Sequence, residues 1–120
     1  EWEYACRAGD ETYKPFNCWL PLAPGLANYA ESGTHQTTEV GSYRANAWGL
    51  YDMHGNVWEW CADWYGPYPD GPVTDPRGPD AGTERVRRGG SWFHAASWCR
   101  SAARGRGPGR PGPPWPRTTR

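Results

Sequence analysis

Residues 49–66, GLYDMHGNVWEWCADWYG, decide how this chain folds. Val57 and Glu59 alternate there with Trp58 and Trp60, the period of two that a half-buried strand requires, and Gly55 permits a sharp turn just ahead of them. The rest of the chain offers few apolar side chains: hydrophobic residues make up 37% of 120, and mean hydropathy is −0.93. A core must therefore be aromatic, built from the nine tryptophans and seven tyrosines, whose rings bury a large area each. This length allows one domain at most.

Outward from that stretch, residues 1–9 (EWEYACRAG) place Trp2 and Cys6 at helical spacing and end on Gly9, which predicts a short helix. Residues 10–47 hold Pro15, Pro21, Pro24, Gly25 and Gly33 without a periodic run and read as irregular. Residues 66–82, with five prolines, read as a surface loop. Residues 85–92 (RVRRGGSW) predict a second strand broken at Gly89 and Gly90, where a bulge or a close backbone approach is expected. Residues 105–120 hold four glycines, five prolines and four arginines, a composition expected to stay disordered. The fold class is α+β, loop-rich, with little regular secondary structure. No run of 18 apolar residues exists, so no membrane-spanning helix is expected. The chain opens without a methionine, a basic segment or an apolar segment that would read as a targeting signal.

Net charge is zero but unevenly placed. Up to Glu84 thirteen acids face four basic residues, a balance of −9, and from Arg85 onward nine arginines face no acid, a balance of +9. Such a basic half suits either an anionic partner or neutralisation of the acidic half within the fold; the second reading is the expectation, and nucleic acid is not the expected partner. Cys6, Cys18, Cys61 and Cys99 contain no C-x-x-C pair, which argues against a zinc ribbon. Two disulfides drawn in three ways and buried free thiols fit equally.

Asp52, Gly55, Val57 and Glu59 form a set suited to calcium, which takes six to eight oxygens from carboxylates and main-chain carbonyls. By spacing alone, acids capping a turn explain it as well. His35, His54 and His94 stand apart from one another and from any cysteine pair. Ser91 near His94 suggests a nucleophile with its base, but it follows a double glycine without the strand–turn–helix setting of a hydrolase elbow. Cys99, near Arg88, Arg100 and Arg104, reads either as a thiolate of lowered pKa or as a small buried hydrophobe.

Four blocks, EWEYACRAG (1–9), GLYDMHGNVWEWCADWYG (49–66), RVRRGGSW (85–92) and CRSAAR (99–104), resemble in this order those of the formylglycine-generating enzyme family, also called the sulfatase-modifying factor family. The resemblance covers residues 1–104 and implies a C-type-lectin-like fold, incomplete here, since such a domain begins well before EWEY. Residues 1–104 are thus expected to be the C-terminal part of the domain. The tail 105–120, in a chain with twelve arginines to one lysine, is expected to be a frameshifted or truncated end. The resemblance assigns calcium to Asp52, Glu59 and the carbonyls of Gly55 and Val57. A second calcium site would begin at Asn28 and Tyr29, but its acidic loop is shortened.

The family oxidises a sulfatase cysteine to Cα-formylglycine with O₂, using two cysteines that bind copper(I). Counting from Gly89-Gly90-Ser91, these fall on His94 and Cys99; anchoring on Arg100 to Arg104 makes Cys99 a structural position. Either way one thiolate is missing, so copper is not expected and the oxidase activity is expected to be impaired, with Cys99 and Ser91 left as the candidate catalytic residues. A sulfatase or another protein or peptide is the implied partner. Two further readings stand beside this one: a non-catalytic, lectin-like module displaying loops such as residues 93–98 to proteins or peptides, and the partner domain of an iron-dependent sulfoxide synthase of the ergothioneine type.

Overall fold

The computed structural model describes residues 1–18 and 21–109. Helix α1 spans Trp2–Arg7, braced by the i,i+4 pair Glu3–Arg7 at 2.8 Å. Its left-handed cap falls at Ala8, with φ 49°, one residue before the expected glycine. The Asn46 amide then donates to the carbonyls of Ala5 and Cys6 at the open helix end.

Strands β1 (Glu59–Trp64), β2 (Glu84–Arg88) and β3 (Gly105–Pro108) form an antiparallel sheet in the order β1-β2-β3. Strand β1 starts at Glu59 and not at Val57. Gly55 and Asn56 both sit at positive φ, 87° and 64°, and Asn56 spends its backbone groups on Asn28 and Trp92, so the chain straightens only afterwards. Between Trp60 and Trp64 the register against β2 slips, a bulge within β1. The strand expected over 85–92 ends at Arg88, ahead of the double glycine.

Strand β3 corrects the expectation of a disordered tail for residues 105–108; residues 110–120 lie outside the described residues. Gly105, Gly107 and Gly109 alternate and so share one face. A Cβ on them would lie 3.2 Å from Trp58, 2.7 Å from Trp60 and 2.8 Å from Trp64 respectively. The tryptophan rings from β1 and the turn before it reach across β2 and cover the bare glycines, the arrangement known as aromatic rescue. Pro108 is tolerated because β3 is an edge strand of this sheet. Composition alone misleads here because β1 and the turn before it, beyond the neighbouring strand, supply the side chains that β3 lacks.

The buried apolar cluster lies among the loops, where Phe16, Leu22, Ala27, Tyr29 and Cys99 meet. His54 ties this cluster to the rest. Its Nε2 accepts from the Asn17 backbone N–H at 3.0 Å, which leaves the proton on Nδ1, donated to the Cys99 carbonyl at 2.7 Å. Its ring packs edge-on against Phe16, and Cys6 Sγ lies 3.8 Å from Nε2. Among the described residues no helix is long and apolar enough to cross a membrane.

Candidate functional site

Each acid of the 52 and 59 pair is held by its own backbone or side-chain donor. Asp52, at φ 55°, accepts the Gly41 backbone N–H on Oδ2 at 2.7 Å, and Glu59 accepts the Trp2 indole N–H on Oε2 at 2.8 Å. Burial pushes the Glu59 carboxyl up from its ordinary value; the Trp2 bond opposes this and the Asp52 charge adds to it. Each carboxylate keeps a second oxygen, and no backbone hydrogen bond among the described residues ends on the carbonyl of Gly55 or Val57. Gly55 is a glycine because its neighbour demands it: a Cβ would sit 2.1 Å from the Asn28 carbonyl oxygen, at the bridge that joins residues 28 and 55. A hard cation draws on carboxylate and main-chain carbonyl oxygens of this kind. No cluster of three or more His, Cys, Asp or Glu side chains forms among the described residues, so such an ion would depend on those carbonyls.

Asn28, where a second ion would begin, is hydrogen-bonded to protein through both side-chain polar atoms. Its Oδ1 accepts the Thr34 hydroxyl, and its Nδ2 donates to the Gln36 carbonyl and to Asn56 Oδ1.

Ser91 and His94 do meet, with Oγ and Nδ1 2.7 Å apart. The same two residues close a turn through the His94 N–H and the Ser91 carbonyl at 3.0 Å. Burial first, and then the Arg87 charge, push His94 below the ordinary histidine pKa. Among the described hydrogen bonds none reaches Nε2 from a carboxylate, so the pair lacks the orienting third member of a triad.

Cys99 lies against the Ser91 backbone, whose hydrogen bond favours the thiolate only weakly against burial, so its environment favours the buried-hydrophobe reading over the thiolate one. It is fully buried in the loop cluster, and burial pushes its thiol up to about 11, with Glu31 acting in the same direction. The arginines nearby in sequence go elsewhere: Arg88 to Glu3 and the Ser101 carbonyl, Arg100 to Ser97, Arg104 to Gly66. Cys99 also explains the double glycine, since a Cβ on Gly90, at φ 73°, would lie 2.5 Å from Cys99 Sγ.

A groove of about 240 Å³ opens beside this turn, walled by Trp58, Tyr65, His94 and Trp98 together with Arg87, Arg104 and Arg106. Its arginines rest on rings: Arg87 lies 4.7 Å from the Trp58 centroid, Arg104 3.8 Å from Tyr68 and 4.7 Å from Tyr65, and Arg106 5.2 Å from Tyr65. The expected neutralisation between the two halves of the chain is thus partial, with Arg88–Glu3 and Arg106–Glu84, each at 3.5 Å, as its described ion pairs. Sequence reasoning missed this groove. The strand spacing of Arg85 and Arg87 was visible, but the rings that receive them lie more than twenty positions away.

Comparison with known proteins agrees with these features. Residues 1–114 match the family described as the sulfatase-modifying factor enzyme 1-like domain. The formylglycine-generating enzyme of Streptomyces coelicolor is 43% identical over 114 residues, which is 82% of this chain and 36% of that protein. The chain therefore spans about a third of the length of that relative. Among solved structures, Treponema denticola variable protein 1 matches with a TM-score of 0.79 at 36% identity, over 90% of this chain and 40% of the other. PvdO from Pseudomonas aeruginosa matches with 0.69 at 32%, over 89% and 44%. The block sequence, the glycine-dependent turn at residue 55 and the sheet all point one way, and the chain belongs to the sulfatase-modifying factor family of formylglycine-generating enzymes.

Proposed function

We propose that this chain is part of a formylglycine-generating-enzyme-like, lectin-like domain that keeps a calcium-held scaffold, has lost two-thiolate oxidase chemistry and binds protein or peptide. The observation that carries this reading is the state of Cys99: a neutral thiol enclosed by Phe16, Leu22 and Tyr29, with a histidine at position 94 where a second thiolate would stand. Copper(I) as a soft ion selects thiolate pairs, and the 91–99 segment offers none. Calcium would be held by Asp52, Glu59 and the carbonyls of Gly55 and Val57, supplying charge balance to the two carboxylates.

His94 instead faces the groove with a neutral ring, fixed by Ser91, and the aromatic walls beside it suit contact with another chain. Incubating the full-length protein, copper(I) and O₂ with a sulfatase peptide bearing C-x-P-x-R tests this by mass spectrometry. The expected product is none, and formation of the formylglycine aldehyde overturns the reading.

A further inference from the structure

We infer that the groove beside Trp58, Tyr65 and Trp98 is a binding site for an acidic peptide side chain flanked by an aromatic one; this rests on the reading of the domain as a binding module. Among the described residues three guanidinium groups line the groove and no carboxylate does. Each is held against a ring, so little freedom is lost when a ligand arrives. Arg104 spends one nitrogen on the Gly66 carbonyl and Arg106 pairs with Glu84, but a guanidinium carries five N–H donors, which leaves donors on both for an incoming carboxylate.

Two further donors in the groove walls, Trp58 Nε1 and Arg87 Nε, are buried without a hydrogen-bond partner. Such orphaned donors are costly, and acceptor oxygens are what they lack. The volume of about 240 Å³ falls below the roughly 300–1,000 Å³ of pockets for drug-sized ligands, a size for one or two side chains.

Charge separates a peptide from a nucleic acid as the occupant. The chain's net charge is zero, which gives an extended polyanion no long-range attraction but leaves a local cationic groove open to a single carboxylate. An arginine-bearing peptide of the C-x-P-x-R kind would meet like charge here.

Calorimetry and tryptophan fluorescence on the full-length protein test this with the blocked peptide acetyl-Gly-Phe-Glu-Gly-amide. Its glutamine counterpart, inorganic phosphate and a single-stranded oligothymidylate are compared with it. The glutamate peptide is expected to bind, the glutamine peptide at least about tenfold more weakly, the loss of a charge-assisted hydrogen bond. Arg106→Gln is expected to cost the glutamate peptide a similar factor with its unfolding midpoint unchanged, and Arg104→Gln serves if that variant does not fold. Equal affinity for the two peptides, no binding at millimolar concentration, or tighter binding of phosphate or the oligonucleotide overturns the inference. Formylglycine formation in the separate oxidase assay would remove the binding-only reading, while a measured carboxylate preference would still stand.

Discussion

Gly55→Ala is the sharpest perturbation available, because its cost divides into two measurable parts. The added Cβ would lie 2.1 Å from the Asn28 carbonyl oxygen and 2.9 Å from its carbon, at a φ of 87°. Left-handed backbone costs an alanine about 1–2 kcal/mol. Relieving the overlap forces residue 28 away from residue 55. That strains the bonds from Asn56 N to Asn28 O at 2.7 Å and from Gly55 N to Gly89 O at 2.6 Å, each worth about 0.5–1.5 kcal/mol net. The sum is about 2–5 kcal/mol. Two controls separate the parts. Gly33, at φ 69°, has open space around it, so Gly33→Ala should cost the backbone part alone, about 1–2 kcal/mol. Gly25 has neither positive φ nor a close neighbour, so Gly25→Ala should stay within about 0.5 kcal/mol. Urea unfolding midpoints of the full-length protein at constant slope give the three values. If Gly55→Ala costs no more than Gly33→Ala, the close approach of residues 28 and 55 is not what holds the loop.

In native protein Cys6 and Cys99, both fully buried and with thiols pushed up to about 11, should resist iodoacetamide until unfolding, while half-buried Cys18 labels earlier; rapid labelling of Cys99 would restore the thiolate reading. His54 is held below its ordinary pKa by burial, so the unfolded chain binds the extra proton more readily. Stability should accordingly be level above about pH 6.5 and fall as the pH drops below it, and urea midpoints across pH should show this limb flattened in His54→Gln. Without calcium, the raised Glu59 pKa has the opposite sign: the native state holds the proton more tightly, so its contribution falls as pH rises from the acid range. Glu59→Gln should then be neutral or stabilising in chelator and should abolish stabilisation by added calcium. Equal calcium stabilisation in both proteins would remove the ion from this loop.

Short-range rules made part of this molecule legible. The helix ending near Gly9, the strand at 85–88 and the loops of 10–47 follow from spacing and turn formers. What was hidden depends on partners far along the chain. Strand β3 exists because Trp58, Trp60 and Trp64 cover its glycines, a fact that glycine and proline content actively conceals. Cys99 looked poised among arginines, yet those side chains turn to carbonyls and to Glu3 while the sulfur turns to Phe16 and Tyr29. The cationic groove was invisible for the same reason, since its charges and its rings come from separate stretches.

The contacts between arginines and aromatic rings along the sheet carry one more consequence. Ion pairs on a protein surface weaken as salt accumulates, whereas a cation lying flat on a ring also retains dispersion and desolvated packing. A surface assembled this way should keep its shape through large swings in ionic strength, so that brine would dull its attraction for an anionic visitor long before it disturbed the groove that receives it.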